Sequence, residues 1–209
     1  MHALSGSKRT SILRCYHPFN FLRDIATQQL YGEILEELNA WSASGGKVYE
    51  IDAIRFYVKS LPWDSDFFNI KTAKICYVWH EDIDYPSLKK ACAQLLKQLC
   101  DDGVGYIFTE LPPEDIYLIQ ALNEAGMKST ETRLIYYHDQ LTAFDFPRYG
   151  VRQANEDDIP ALRKVAANMR NDYDRFHADP EISLELGDAF LAKYVEAGVK
   201  GFNDVVLVP

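Results

Sequence analysis

Two short segments carry the residues whose types best suit chemistry, and the first of them is RFHADP. Arg175, Phe176 and His177 are adjacent there, in a predicted loop between two helices. Arg175 suits a phosphate, because its planar guanidinium donates to two oxygens at once. His177 is suited to taking a proton from an amine near neutral pH. We predict substrate contacts at these three residues. The alternative is a structural loop in which Arg175 pairs with Asp172 or Asp174.

The second segment is WDSDFF, which carries the carboxylates of Asp64 and Asp66. A carboxylate forms strong charge-assisted hydrogen bonds with an ammonium group, so Asp64 is a candidate contact for an amine substrate. The alternative is a turn in which the Asp and Ser side chains bond to nearby backbone N–H groups. In that turn, Trp63, Phe67 and Phe68 anchor the segment in the core.

The chain's totals exclude several classes of protein. Its 209 residues carry a formal net charge of −9, which argues against nucleic acid or an anionic membrane as the main partner. No stretch approaches the roughly 20 apolar residues of a membrane span, and the N-terminus lacks the apolar core of a secretory signal. The four cysteines lack metal-ligand spacing, and Cys92 and Cys100 are predicted core residues of a helix. We expect a cytoplasmic protein without a metal.

Hydrophobic periodicity predicts alternating strands and helices in the first two thirds of the chain. Three segments have apolar residues at helical spacing: 21–41, 86–100 and 113–125. Four are rich in β-branched and aromatic residues and are predicted as strands: 54–61, 72–79, 104–111 and 128–138. The strand over 104–111 is apolar enough for a central strand that is covered on both faces. A helix that joins strands in this way indicates a mixed α/β (α+β) domain with some parallel pairing.

A polar connector with proline and glycine, HDQLTAFDFPRYG over 138–150, predicts a domain boundary. After it, Val151 opens a short strand, two helices are predicted over 156–169 and 184–197, and Val205–Val208 is predicted as a buried strand. The predicted divisions are an N-terminal arm and helix over 1–53, an α/β domain over 54–140, and a strand–helix–helix–strand segment over 149–209.

The run VRQANEDDIPALRKVA, followed by two helices and a strand, resembles the opening of the GNAT acetyltransferase domain. Together with LPWDSDFF and RFHADP, it is similar to the family of TDP-fucosamine acetyltransferase, whose members acetylate an amino sugar carried on a nucleotide. The resemblance covers roughly 54–209. It implies a degenerate GNAT-like N-terminal domain, closed by the helix and long strand of YLIQALNEAGMKSTETRLIYY, followed by the first part of a GNAT domain. The segment with Arg175 would then lie on the acceptor side of the site.

The same resemblance implies acetyl-CoA as co-substrate, held by a Gln/Arg-x-x-Gly-x-Gly/Ala loop whose backbone N–H groups bind the pyrophosphate. The sequence lacks this loop. Its one Gly-x-Gly, in DDGVGYIF, enters a predicted strand, follows no basic residue and opens no helix. By the resemblance, Val205–Val208 is the second strand of a GNAT domain. We therefore expect a truncated enzyme that binds no acetyl-CoA by itself; the alternative is a remnant that does not use the cofactor.

These observations predict part of an acetyl-CoA-dependent N-acetyltransferase that acts on a primary amine. The expected acceptor is a small molecule, an amino sugar carried on a nucleotide, as in polysaccharide biosynthesis. One alternative is an amino-acid or peptide amine as acceptor. The other is a non-catalytic binding module that forms a homodimer through its first domain. Neither the general base nor the general acid is assigned by the sequence.

Overall fold

The computed structural model describes residues 27–80, 83–136, 138–143, 145 and 149–209. The N-terminal arm predicted at the start of the chain lies outside these residues, as does Cys15. The chain divides into two compact units, the first ending at Ser129 and the second beginning at Thr130. This division lies upstream of the 138–150 connector, at which the sequence places the boundary. Each unit is described below by itself.

The first unit is a mixed α/β layer. Its helices are α1 (Thr27–Asn39), α2 (Pro62–Phe68), α3 (Tyr85–Asp101) and α4 (Ile116–Glu124). Its strands are β1 (Lys47–Ile51), β2 (Ile54–Ser60), β3 (Thr72–His80) and β4 (Tyr106–Thr109). The sheet order is β1-β2-β3-β4, with antiparallel pairing up to β3 and parallel pairing of β3 with β4. Because parallel neighbours need a crossover, α3 makes the connection between them, as predicted.

The two faces of this sheet are covered by different helices. One face packs against α3 and α4 through a continuous apolar core, whose fully buried members include Ile54, Phe56, Ile75, Leu88 and Leu95. On α3 the cysteines are separated: Cys92 belongs to this core, whereas Cys100 is exposed. The prediction that both are core residues is wrong for Cys100. Eight residues of α-helix turn the side chain about 80° past the starting face.

The other face carries α1 on a small aromatic cluster. Leu30 and Ile34 of α1 pack with Trp41, whose ring is met edge-on by Tyr57 and Tyr77 at centroid distances of 5.5 and 5.7 Å. The indole Nε1–H of Trp41 donates to the backbone oxygen of Lys47 at 3.2 Å, so the polar atom of this buried ring is satisfied. The helix α1 and the strand β1, which lie within 1–53, thus belong to the same compact unit as the strands that follow.

Two elements of the first unit differ from the sequence-based expectation. Strand β4 is an edge strand with half-buried residues, not a central one. Its apolar run reflects cover by the helices on one face and by neighbouring aromatic rings on the other. The segment predicted as a loop or turn around WDSDFF is the helix α2. Pro62 occupies its first turn, and Asn69 closes it in the left-handed conformation with φ 52°.

The second unit is built from short strands that flank helices. Its helices are α5 (Ile159–Asn168), α6 (Arg175–Ala178) and α7 (Leu184–Ala197), and its strands are β5 (Arg152–Gln153) and β6 (Leu207–Val208). Strands β5 and β6 pair antiparallel, with Arg152 opposite Val208. A one-turn helix over Glu156–Asp158 precedes α5. The carboxylate of Asp158, in the capping box of this helix, accepts hydrogen bonds from both terminal guanidinium nitrogens of Arg152 at 2.7 Å. This pair connects the start of β5 to the one-turn helix that precedes α5.

The predicted strand over 128–138 is wrong. Its described residues form neither helix nor strand, and Leu134, Ile135 and Tyr136 are exposed. Strand propensity expresses fit to a neighbouring strand, and no described strand pairs with this segment. The long closing strand implied for a degenerate GNAT-like first domain is therefore not formed by the described residues.

The last predicted strand is shorter and more exposed than expected. The β6 ladder includes two residues, of which Val208 is buried while Leu207 is 60 % exposed. Val205, predicted as part of the buried run, is 50 % exposed and lies before the strand. Successive side chains of a strand point to opposite faces of the sheet, so Val208 lies on a covered face and Leu207 on an exposed one. Among the described residues, no helix has both the length and the apolar character of a membrane span.

Candidate functional site

The segment with Arg175, Phe176 and His177 folds as the four-residue helix α6, where a loop was predicted. Asp174 precedes the helix, and its Oδ1 accepts from the backbone N–H groups of Phe176 and His177 at 2.9 and 3.2 Å. A carboxylate at this position satisfies amides that have no partner within the helix and contributes about 1 kcal/mol. A helix of one turn is not stable by itself in water, so contacts with its surroundings must hold α6 in place.

His177 lies between two carboxylates. Its Nδ1 is 2.7 Å from Asp174 Oδ2, and its Nε2 is 3.2 Å from Asp188 Oδ1 on α7. The His177 side chain is 0 % exposed, whereas the two aspartates are 22 % and 28 % exposed. Asp188 also accepts from Arg170, which follows α5, at 3.2 Å. We call Arg170, Asp174, His177 and Asp188 the His177 cluster, and it joins three consecutive helices.

The cluster affects the ionisation of Asp174. Partial burial acts to raise the pKa of this carboxyl, but the hydrogen bonds from His177 and from the Phe176 N–H outweigh it and hold the pKa below its ordinary range. Asp174 is therefore a carboxylate at neutral pH. Asp188, beside the guanidinium of Arg170, has a cation to balance its own charge.

The imidazole of His177 sits directly on the backbone of α7. A Cβ added at Gly187 would lie 2.8 Å from His177 Nε2 and 3.1 Å from its Cε1. Real Cβ atoms do not approach other heavy atoms so closely, so glycine at this position permits the contact between ring and helix. Gly187 lies in a regular helical turn, and its N–H donates to Ser183 O at 3.0 Å. Space, not backbone conformation, is what requires glycine here.

Arg175 and Phe176 of α6 have contacts of different kinds. Phe176 is buried, and its ring lies 4.2 Å from that of Phe190 on α7. The Arg175 guanidinium carbon is 4.5 Å from the Phe176 ring centroid, a cation–π contact that leaves the side chain half-buried. The Arg175 backbone N–H donates to Glu131 at 3.0 Å. Of the three predicted residues, Phe176 thus has a packing role, and Arg175 is the one with partial exposure and charge.

Asp64 lies in the first turn of α2, in the other unit. It is half-buried, at the helix end where a carboxylate interacts favourably with the dipole, and Asp66 is exposed. The aromatic residues of this segment form a contact series: Trp63 stacks on Phe67 at 6.3 Å, and Phe67 meets Phe68 at 4.9 Å. The predicted contact of Asp64 with an amine stays a prediction.

Three residues of the His177 cluster region are not singled out by the sequence. Arg170 and Asp188 are charged residues near helices, which read as solvent-facing, and Gly187 reads as a weak position near the start of a helix. The spacing of Asp174 and His177 was visible in DRFHADP, because an Asp at a helix start and a residue three positions later face each other. The contribution of α7 depends on tertiary packing and has no local signal.

Neither the Gly-x-Gly segment nor the N-termini of α3, α4 and α6 suit a pyrophosphate. In the one Gly-x-Gly segment, Gly103 N donates to Cys100 O and Gly105 N to Lys71 O, both at 2.9 Å, so these amides are used within the chain. The N-termini of α3, α4 and α6 are occupied by the carboxylates of Asp84, Asp115 and Asp174, which repel an anion. We therefore derive no step through acetyl-CoA. Nor does any group of three or more His, Cys, Asp or Glu side chains in the described ranges have the arrangement of a metal site.

An open concavity of about 420 Å³ lies at the β1–β2 turn of the first unit. Its lining includes Glu50, Asp52, Arg55 and Trp79, and none of the predicted site residues. It is separate in the chain from α2 and offers no buried polar group for a ligand.

Comparisons of the chain with protein-family models, with curated proteins and with solved structures found no match. The sequence motifs and the geometry of the second unit are therefore the observations from which a function is inferred.

Proposed function

We propose that this chain supplies the acceptor side of a cytoplasmic, acetyl-CoA-dependent N-acetyltransferase of the GNAT type. The acceptor is a primary amine, and an amino sugar carried on a nucleotide is the first candidate. Arg175 binds the anionic part of the acceptor, and the acidic residues near it attract the ammonium.

One observation carries the proposal. Strands β5 and β6 pair antiparallel, and the two longer helices α5 and α7 lie between them in the chain. The GNAT resemblance implies this order of elements, and the RFHADP segment falls between the two helices, on the acceptor side. The support is thus a match between an expected order of elements and the pairing of two short strands.

The charges around α6 favour an amine that also carries an anionic group. Asp174, Asp188 and Glu131 lie in direct contact with α6 residues, and carboxylate oxygens of this kind accept hydrogen bonds from an ammonium. Arg175 adds a half-buried cation whose fork suits two phosphate oxygens. Because His177 is buried between two carboxylates, we assign acceptor contact to Arg175 and not to the imidazole. The residue that removes the amine proton is left unassigned.

Titration calorimetry on the 209-residue chain tests the proposal. A nucleoside-diphosphate amino sugar should bind, and Arg175→Ala should weaken binding about tenfold or more, because a charge-assisted hydrogen bond contributes about 1.5–3 kcal/mol. Acetyl-CoA should show no low-micromolar binding. The matched control is Arg55→Ala, which removes an exposed arginine of the first unit that pairs with Glu50.

The result separates binding from structure. If Arg175 is structural, its replacement lowers the melting temperature and leaves the affinity of the remaining folded protein unchanged. If the nucleotide amino sugar fails to bind to the folded chain but an amino-acid or peptide amine binds, the acceptor class is the alternative one. If none of these amines binds, the proposal is wrong.

A non-catalytic assembly module is the second candidate, and the exposed apolar side chains of the second unit favour it. Helix α5, which is fully described, has no buried residue and exposes Val165, and Met169 directly after it is also exposed. Tyr194 and Phe202 are also exposed. Analytical ultracentrifugation distinguishes the candidates, since a stable dimer that is lost on Val165→Asp with Met169→Asp would support assembly through this unit.

A further inference from the structure

We propose that His177 is a doubly protonated imidazolium that fastens α6 to α7, and that loss of its ring proton releases α6. The proposal concerns the His177 cluster, as defined above, and depends on its geometry. It does not depend on the proposed acetyltransferase function.

The first step is a count of donors and acceptors. Each ring nitrogen of His177 faces a carboxylate oxygen, Asp174 at 2.7 Å and Asp188 at 3.2 Å. An ionised carboxylate only accepts hydrogen bonds, and a neutral imidazole has only one N–H to donate. In the neutral ring the second nitrogen would direct its lone pair at a carboxylate oxygen. Only the imidazolium donates to both aspartates.

The second step is the balance of charge. Two carboxylates and the Arg170 guanidinium leave the cluster with one excess negative charge when His177 is neutral, and with none when it is protonated. Glu131, which accepts the Arg175 N–H on the same helix, adds a further negative charge nearby. The ring is fully buried and packed on Gly187, so no solvent replaces the missing hydrogen bond. The hydrogen-bond count and the charge balance therefore both match the protonated ring.

The third step is the dependence of α6 on this contact. The amides of Phe176 and His177 donate to Asp174 Oδ1, and the other oxygen of the same carboxylate holds the imidazole. Asp174 thus both starts the helix and accepts from its third residue, while Asp188 holds the ring to α7. When the ring loses its proton, one of these two bonds is lost. A one-turn helix lacks the internal bonds to remain in place.

The fastening exists within a window of pH. It requires a protonated His177 and two ionised aspartates. On the acid side the Asp174 contact persists below the ordinary range of an aspartic acid, because the pKa of Asp174 is lowered by the hydrogen bonds from His177 and the α6 amides despite partial burial. On the alkaline side it ends when His177 deprotonates. Release of α6 would also free Arg175, and the consequence for acceptor binding is the one part that rests on the proposed function.

Nitrogen-15 NMR of the histidine rings in the whole chain tests the protonation state. The signals of His177 are those that disappear in His177→Gln. Near neutral pH we expect both ring nitrogens of His177 to be protonated. In Asp188→Asn, where the second acceptor is no longer ionised, one nitrogen should lose its proton at the same pH. A single protonated nitrogen in the unaltered chain would overturn the proposal. The decisive spectrum is that of the unaltered chain, and His177→Gln serves only to assign its signals.

Amide exchange, corrected for its intrinsic pH dependence, tests the release of α6. As His177 deprotonates, protection of residues 176–178 should fall about tenfold or more, while that of the sheet of the first unit stays constant. His177→Gln should remove the step, because glutamine does not titrate. Asp172→Asn, which removes an exposed acid beside the cluster, should keep it. A constant protection across the titration of His177, or the same step in His177→Gln, would overturn the proposal.

Discussion

The close contact between His177 and Gly187 makes a quantitative prediction for Gly187→Ala. Alanine in a helix is favoured over glycine by about 1 kcal/mol. At this position, however, the new Cβ would lie 2.8 Å from His177 Nε2. The ring has no free direction, because both nitrogens are held by carboxylates. Forcing a methyl group into a packed site costs about 1–3 kcal/mol. The second unit should therefore lose the propensity gain and become less stable by up to about 2 kcal/mol.

Gly32→Ala is the matched control for this change. Gly32 lies within α1, and a Cβ at this position would meet nothing within 4 Å. It should show the propensity gain alone, about 1 kcal/mol of stabilisation of the first unit. The difference between the two substitutions, about 1–3 kcal/mol, is then the cost of the contact with His177. Site-resolved amide exchange reports the stability of each unit separately, which a single melting curve does not.

A double-mutant cycle decides whether the imidazole is the cause. In a His177→Ala background the ring is absent, so Gly187→Ala should become neutral or stabilising, with a coupling energy of about 1–3 kcal/mol. Gly187→Ala could instead stabilise the second unit as much as Gly32→Ala stabilises the first. In that case His177 does not pack on α7 as described. An equal cost of Gly187→Ala with and without His177 would point to another neighbour.

Two further predictions concern ionisation. Hydrogen bonds from Lys200, together with those of a neighbouring arginine, lower the pKa of Glu196 from its ordinary 4.5 to about 2, so its contribution to stability is complete above the ordinary value and is lost as the pH falls. The melting temperature should fall between about pH 5 and about pH 2, and this fall should be less steep in Glu196→Gln. The control is Glu185→Gln, which changes an exposed acid of the same helix and should keep the steeper fall. Equal slopes in the two variants would contradict this prediction. Burial raises the pKa of the Cys92 thiol to about 12. Iodoacetamide should therefore label exposed Cys100 in the native protein and leave Cys92 unlabelled until unfolding, as peptide mass spectrometry would show; comparable native labelling of both would mean that the α3 core is open.

Long periodic segments were predictable, because their pattern is repeated over several turns. Helix α7 has the bounds expected for it, and α3 differs from the expectation by one residue at each end. Helix α2 was missed because its seven residues, about two turns, give too few repeats for a periodic pattern to show. Its signals were nevertheless present in the sequence: Pro62 at the start and Asn69, a residue that tolerates the left-handed conformation, at the end.

The structure of the candidate site was not predictable from the sequence. The residue types of RFHADP indicated chemistry, but the segment was predicted as a loop and Asp174 only as a partner of Arg175. That His177 faces a second carboxylate depends on Asp188, eleven residues later, and on the absence of a side chain at Gly187. Such contacts follow from how α6 rests on α7, which no local pattern encodes. The position of β4 at the sheet edge was missed for a similar reason, since an apolar run does not reveal how many strands flank it.

The strand order of the first unit has a consequence for how the chain acquires its structure during synthesis. Because the order β1-β2-β3-β4 follows the chain, each strand emerges from the ribosome with its neighbour already present. The hairpin of β1 and β2 needs only local contacts, β3 adds to it, and α3 brings β4 back to the free edge of β3. After β1, no strand has to wait for a first partner from a later part of the chain, so few unpaired edges are exposed to neighbouring nascent chains. Assembly of this sheet from the N-terminus onward, one strand at a time, is thus compatible with its final hydrogen bonding at every stage.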